Sequence, residues 1–274
     1  MIYSTQLILT DLKDKIRNKE PFSTIRLGDA GHGIITVFKC HDVIDVGKWS
    51  GSRGKKLANS ILGQLTVPTS ERDKIVDRVV TACNRADYID SYDVFDELNC
   101  KKGLGVIGRR WREIHENAGI YNTDFCNPFL HYFSIVKGEI NLFNLMKGRK
   151  IFCITSRAAL LQRLKMVSGA KNIDHYRIPR RGRGGQHFKG HYRKVIKAIQ
   201  TNVKKYDLFL IGAGFLGKIY CDEVKRLGGR SFDAGRLFDF WNGSRHIDSR
   251  PKRFIKYNPR NMLCDRIKRR SGVW

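Results

Sequence analysis

The sequence predicts an α/β protein: a largely parallel, twisted sheet with helices on both faces, Rossmann-like in its wiring. Three observations carry that prediction. From residue 150 onward, short apolar runs alternate with helical periodicities in the order β-α-β-loop-α-β-α-β, the pattern of a parallel sheet whose crossovers are helices. Residues 206–235, YDLFLIGAGFLGKIYCDEVKRLGGRSFDAG, read as strand, glycine turn, helix and second strand, one complete crossover unit. Finally, 41% of the 274 residues are hydrophobic, enough for a real core, yet no run of 18 apolar residues occurs, so no membrane span is expected.

The elements follow in order. Ile8, Leu12 and Ile16 recur every four residues and predict a helix near the N-terminus. FSTIRLGD (22–29) predicts a short strand ending in a Gly-Asp turn, with a helix opening in AGHGIITVFK. Ser70 is placed as the N-cap, with Asp73 three residues on, of a helix carrying Ile75, Val76, Val79, Val80 and Cys83. EINLFNLM predicts a helix stopped at Gly148. KIFCIT predicts a buried strand, followed by a helix over about 157–167, and NIDHYRI a further strand broken by Pro179. FKGHYRKVIKAIQTNV predicts a helix with Tyr192, Val195, Ile196 and Ile199 inward, after which the 206–235 unit completes the sheet. No internal repeat is visible. Residues 1–241 are read as a single α/β domain and 242–274 as a basic C-terminal extension.

Charge is the outlier of the composition. Lys plus Arg is 52 against 26 for Asp plus Glu, a net of +26. Such an excess repels itself in the folded state, and a polyanionic partner is the usual reason to tolerate it. The excess is uneven. Residues 177–205 hold ten Lys/Arg and no acid, and residues 242–274 hold ten against Asp248 and Asp265, interleaved with Phe254, Tyr257 and Trp274. Basic residues mixed with aromatics suit a surface that tracks phosphates and stacks bases; a solvated tail accounts for the same residues. The seven cysteines are scattered, odd in number and never in C-x-x-C, which reads as reduced thiols and not as a disulfide or zinc framework. Together with an N-terminal stretch that lacks the pattern of a signal peptide, this gives a cytoplasmic location as the expectation.

In a parallel sheet, ligands bind beyond the carboxyl ends of the strands. Three loops are expected there. At the first, Gly212-Ala213-Gly214-Phe215-Leu216-Gly217 forms a G-x-G-x-x-G with Asp233 placed 21 residues after Gly212. Gly212 and Gly214 would let the backbone approach a phosphate, Gly217 would let the helix pack close, and Asp233 would hold a ribose hydroxyl. That is a dinucleotide fingerprint, but it sits at the C-terminal end of the chain, where a nicotinamide enzyme would have further strands to follow, so a diphosphate of another kind is preferred. At the second loop, RLGDAG sets Arg26, Gly28 and Asp29 at a strand end, with His32 one helical turn on. A carboxylate there can act as a base or hold a divalent ion, and the guanidinium can neutralise a phosphate or orient the carboxylate. The third loop, after Ile178, carries Arg180, Arg181, Arg183, His187 and His191, a set that suits phosphate. With the basic tail residues Arg245, Lys268, Arg269 and Arg270 it forms the candidate nucleic-acid surface.

The segments FSTIRLGD, GRKIFCITSR, YDLFLIGAGFLGKIYCDEVKRLGG and DAGRLFDFWNG together resemble the GT-D-fold glycosyltransferases over residues 20–245. The resemblance is most specific at Gly212, Gly214, Gly217, Lys218, Gly228, Gly229, Asp233, Gly235, Asp239 and Trp241. It implies a nucleotide-diphosphate sugar as donor, with Lys218, Asp233 and Trp241 among the donor-binding residues. The family's D-x-E motif reads Asp29-Ala30-Gly31 here: the aspartate is kept and the glutamate is missing. A divalent cation, magnesium or manganese, with Asp29 as its ligand therefore stays an open expectation. For catalysis Asp29 is the first candidate and Asp239 the second. The charge points the acceptor toward DNA, with a hydroxymethylated pyrimidine of viral DNA as the expected target and a cell-envelope glycan or glycoprotein as the alternative. A non-catalytic nucleic-acid-binding protein on a degenerate transferase fold is the third reading.

Overall fold

A computed structural model describes residues 2–3, 5–40, 51–90, 113–122, 125–126, 142–180, 186–235 and 237–241. Its strands are β1 (Ile2–Tyr3), β2 (Phe22–Ile25), β3 (Tyr88–Asp90), β4 (Phe125–Cys126), β5 (Lys150–Thr155), β6 (Asn172–Arg177), β7 (Leu208–Gly212) and β8 (Arg230–Asp233). They form one sheet in the order β1-β4-β3-β2-β8-β7-β5-β6, and each pairing is parallel. The last described strand, β8, joins the two halves of the sheet, with Phe22 opposite Arg230 on one side and Leu210 opposite Phe232 on the other.

The helices are α1 (Thr5–Asn18), α2 (Gly28–Lys39), α3 (Gly51–Gln64), α4 (Arg72–Arg85), α5 (Leu142–Met146), α6 (Leu161–Ser168), α7 (Tyr192–Asn202), α8 (Gly217–Arg226) and α9 (Leu237–Trp241). Strand side chains alternate between the two faces of the sheet. Accordingly Phe152, Ile154, Phe209 and Ile211 pack with α2, α3, α4, α7 and α8, while Ile151, Cys153, Leu208 and Leu210 pack with α1, α5, α6 and α9. Each face thus has its own apolar core, and the central strands are buried on both sides. That double burial is why KIFCIT and LFLIG read as unbroken apolar runs.

At the amino edge of the sheet Asp87 ties three elements together. Its carboxylate accepts from Lys15 Nζ (2.7 Å), Lys225 Nζ (2.7 Å) and the Ser23 amide (2.9 Å). Burial alone would push the Asp87 carboxyl up; these donors outweigh it and hold it below its ordinary value of 3.8.

Several local expectations are corrected. The Gly-Asp turn at residues 28–29 is there, made by Gly28 at φ +59°, and α2 is counted from that residue, two positions earlier than the helix expected in AGHGIITVFK. Ser70 does not cap α4. It lies in a single 3-10 turn, Thr69–Glu71, and Glu71 occupies the cap position without a side-chain bond. The helix expected over 157–167 begins with a 3-10 turn and runs to Ser168, ended by Gly169 at φ +68°. Ile196 is only half-buried on α7, whereas Tyr192, Val195 and Ile199 are buried as expected. Cys40, Cys83, Cys153 and Cys221 are buried thiols outside any disulfide, and burial pushes Cys40 up to about 11. The proposed extension, 242–274, lies outside the described residues.

Candidate functional site

All the carboxyl ends of a parallel sheet share one edge, and the direction in which each loop leaves that edge determines where a groove opens. The loops after β2 and β7 lead to α2 and α8 on one face; the loops after β8 and β5 lead to α9 and α6 on the other. Neighbouring loops therefore diverge all along β2-β8-β7-β5 and leave a crevice between them, the arrangement in which open α/β sheets bind ligands.

Two left-handed glycines form one lip. Gly28 takes φ +59° and Gly214 φ +60°. A Cβ on Gly214 would meet nothing within 4 Å, so this turn faces open space. Gly212 is needed for another reason, since a Cβ there would stand 2.4 Å from the Phe238 ring and 3.3 Å from the Gly235 carbonyl. The first glycine of the fingerprint makes room for α9, not for a ligand. Gly217 is also under little compulsion, since its Cβ would make ordinary contacts with Ile211 and Ala213 at 3.4 and 3.5 Å. Of the three fingerprint glycines, only Gly214 has the backbone geometry and open surroundings of a phosphate-facing turn.

Behind that lip lies a buried ion pair. Lys218 Nζ donates to Asp233 Oδ2 at 2.8 Å and to the Gly214 carbonyl at 3.0 Å, and the Arg26 amide donates to the same Asp233 oxygen at 3.1 Å. Asp233 is 0% exposed and Lys218 5%. The expectation that Asp233 holds a ribose meets a carboxylate sealed from solvent, with Oδ2 already shared. Its other oxygen, Oδ1, has no hydrogen-bond partner among the described residues. In this structure Asp233 joins the end of β8 to β2 and α8, and Lys218 fixes the Gly214 turn from behind. The Arg26 guanidinium spans the crevice above them: Nη1 is 3.6 Å from the Cβ position of Gly28 and 3.4 Å from that of Gly235.

The opposite lip carries a group the sequence reading missed. Arg157, in the loop after β5, donates from Nε (2.8 Å) and from its Nη2 to Asp239 Oδ1. Arg157 is largely buried and Asp239 about half-exposed. A signal was present: Arg157 follows KIFCIT by two residues and Arg26 follows FSTI by one, so both strand ends are followed closely by a cation. Asp239, the second catalytic candidate, therefore stands in the groove already bound to an arginine.

His32 turns inward. It is 0% exposed, its Nδ1 lies 2.9 Å from the Gly28 carbonyl, and its Nε2 lies 3.0 Å from Nε2 of His115, with the two rings stacked at 5.1 Å. A carbonyl only accepts, so Nδ1 carries the proton; in the neutral ring Nε2 then accepts from His115. The donor-binding expectation for His32 is thus replaced by an anchor beneath the turn that holds Asp29. His115 gave no local signal, being 83 residues away.

Of the third loop, residues 181–185 lie outside the described residues; its strand, β6, is two strand positions from β7, which leads to the glycine turn. β6 is four strand spacings from β2, about 19 Å at 4.8 Å each. Arg180 is exposed at that flank. His187 is 3% exposed against Tyr220, whose hydroxyl is 3.3 Å from Nε2, and burial pushes the imidazole down to about 4, with His191 adding to the effect. A neutral, buried ring cannot bind phosphate by charge, so that expectation for His187 is corrected. His191 Nδ1 meets the Tyr176 hydroxyl at 3.1 Å. Among the described residues no group of three His, Cys, Asp or Glu is placed to hold a metal ion. The side chains of Asp29 and Trp241, and the candidates Arg181, Arg183, Arg245, Lys268, Arg269 and Arg270, lie outside what the structure describes; the backbone puts Asp29 second in α2 and Trp241 last in α9.

Comparison with known proteins agrees with this architecture. A family model described as a GT-D fold-like domain matches residues 3–241. A solved structure of the selenomethionine-substituted domain of unknown function 1792 superposes with a TM-score of 0.51 at 12% identity, covering 90% of this chain and 82% of that one. A second, described as the highly conserved domain of unknown function 1792 with a distinct glycosyltransferase fold, has a TM-score of 0.49 at 13% identity and the same coverage. At these identities the likeness is one of fold. A search of curated proteins finds no match.

Proposed function

Because this chain belongs to the GT-D fold-like domain family, we propose that it is a glycosyltransferase that moves a sugar from a nucleotide-diphosphate sugar to a hydroxyl acceptor. The observation that carries this reading is the crevice itself. An open left-handed glycine turn at Gly214 is held from behind by the buried Lys218–Asp233 pair, and arginines stand over both lips at Arg26 and Arg157. Transfer requires that the leaving diphosphate be neutralised and the acceptor hydroxyl be held beside a base. Arg26 and Arg157 serve the first need. Asp29 is the base for the second, placed at the opening of α2; Asp239, bound to Arg157, orients that guanidinium. Ala30 and Gly31 follow Asp29 where the D-x-E pattern would set a glutamate, so the second carboxylate of that motif is missing here. No step is therefore routed through a metal.

For the acceptor we favour DNA, with a hydroxymethylated pyrimidine as target, which must leave the base stack to reach the crevice. The net charge of +26 supports this over an uncharged envelope glycan. The incomplete D-x-E supports the rival reading, a nucleic-acid binder without transferase chemistry.

A ligand panel separates these readings. At about a hundredfold excess over Kd, a bound ligand adds about 2.7 kcal/mol of stability, a shift of several degrees in Tm for a domain of this size. At least one nucleoside diphosphate or sugar nucleotide should give such a shift, and NAD and NADP none. Saturable NAD binding would reverse the assignment in favour of a dinucleotide enzyme, and indifference to every nucleotide would leave the binder. In the second arm, Asp29→Ala should lower sugar transfer by about 10²-fold or more, the order expected for loss of a general base. Near-normal turnover in a folded variant would remove Asp29 from the chemistry.

A further inference from the structure

Three described helices, α1, α4 and α8, set acids against their cations. On α1, Lys15 faces Asp11 and Arg17 faces Asp14; on α4, Arg85 meets Asp222 and Asp77 meets Lys39; on α8, Arg226 meets Glu223 and Lys225 meets Asp87. Helix α7 does not. It has no acid, and Arg193, Lys194 and Lys197 are exposed, followed by exposed Lys204 and Lys205 just past its end. None of these five side chains enters an ion pair with a described residue. Two further described helices are basic and acid-free, α6 with Arg163 and Lys165 and α3 with Arg53, Lys55 and Lys56; α3 adjoins α7, since the Phe188 amide donates to the Leu65 carbonyl at 2.9 Å.

We propose that the outward face of α7 is a docking surface for the phosphate backbone of duplex DNA. A helix that leaves several adjacent cations without counter-charges bears a repulsion that an external polyanion relieves. The geometry suits a duplex. Four residues of helix separate Arg193 from Lys197, a rise of about 6 Å, which lets the two cations reach neighbouring phosphates of one strand. The helix starts at the loop end of β6, on the carboxyl edge of the sheet, and runs down the flank to β7, so DNA lying along it has one end at the edge where the crevice opens. An anionic membrane is the weaker occupant. A helix that binds lipid inserts its apolar stripe, and the apolar stripe of α7, Tyr192, Val195 and Ile199, is buried in the core. The surface depends on the transferase reading for its purpose but not for its binding, and the two are tested apart.

The test compares two triple charge reversals of equal net change in the full chain: Arg193→Glu, Lys194→Glu, Lys197→Glu on α7, and Lys13→Glu, Lys147→Glu, Lys171→Glu at exposed sites away from that helix. Affinity for a labelled, unmodified duplex is measured across a salt series, with phosphatidylserine vesicles as a parallel arm, and thermal melts confirm folding. Loss of three phosphate contacts should make the slope of log affinity against log salt less negative by about 2 to 3 for the α7 variant. The matched variant should keep the wild-type slope. Equal slopes in the two variants would mean that only net charge matters and would overturn the proposal, as would an α7 variant that loses vesicle binding while keeping duplex binding. Sugar-nucleotide binding is read in the same proteins. If it is absent while the α7 effect holds, the transferase reading fails and the docking face stands; if it is present while the α7 effect is missing, the reverse is true.

Discussion

At the residue scale, the glycine fingerprint shows how one motif can mix two physical causes. Its spacing was legible in the sequence, and so was the turn it makes. The reason for Gly212 was not, because the atom that forbids a side chain there belongs to Phe238, 26 residues on and across the sheet edge. The two causes make separable predictions. Gly212→Ala forces its Cβ into the Phe238 ring and should cost about 1–3 kcal/mol, as overpacking does. Gly214→Ala meets no atom but leaves an L-residue in the left-handed region, at about 1–2 kcal/mol. A double-mutant cycle tells them apart: trimming Phe238 to Leu should recover part of the Gly212→Ala loss and none of the Gly214→Ala loss. Additivity in both cycles would refute the packing explanation. The Lys218–Asp233 pair belongs to the same scale. Lys218→Met would leave a buried carboxylate without its cation and should destabilise by about 3–5 kcal/mol, far more than an exposed lysine would.

At the element scale, what was legible depended on length. Helix α7 announced itself through Tyr192, Val195 and Ile199, a stripe long enough to show its period. β1, β3 and β4 have two or three residues each, too few to display any alternation, and the sequence reading passed over them. Nor did it find α3, whose 14 residues include three glycines, although Leu57, Ala58, Ile61 and Leu62 recur at helical spacing. The segment before α7 is a π-helical turn, His187–His191, fixed to the preceding unit by amides of Phe188 and Lys189 donating to Thr66 Oγ1 at 3.0 and 3.3 Å. His187 fills the inside of that turn as a neutral ring, and this gives the element a pH signature. Its ordinary value of 6.5 falls to about 4 on folding. Between those values the unfolded chain takes up a proton that the folded chain refuses. Stability from this site is therefore complete above pH 6.5, declines by on the order of 3 kcal/mol toward pH 4, and is flat below. Asp87 acts in a lower window: its carboxyl is depressed, so its contribution is kept above 3.8 and lost as the pH falls further. Melting curves of the wild type and His187→Leu from pH 7.5 to 4 isolate the histidine. The variant should lose much of the decline, and an unchanged decline would show that His187 titrates freely.

At the scale of the whole molecule, the parallel sheet with helices on both faces was legible because buried strands and crossover helices alternate visibly in the second half of the chain. The strand order was not, since nothing in the sequence says that β8 inserts between β2 and β7, or that β6 stands four strand positions, about 19 Å, from β2. The net charge of +26 is a property of the whole chain. Like charges held together in a compact chain repel, and the unfolded chain relieves them by expanding. The ion pairs on α1, α4 and α8 act in the other direction, since salt weakens them. Exposed pairs contribute at most about 1 kcal/mol each, and several here are i,i+3 or i,i+4 neighbours that would partly persist in a nascent helix. With cations outnumbering acids two to one, repulsion should dominate. Tm should therefore rise as sodium chloride is taken from about 10 mM, where the screening length is about 30 Å, to about 0.15 M, where it is about 8 Å. At low salt, a short DNA duplex should raise Tm further at a concentration far below that of any simple salt, because it supplies many negative charges to one surface. A fall in Tm on adding salt would mean that the pairing network outweighs the excess charge, and would remove the need for a polyanionic partner on which the DNA reading depends.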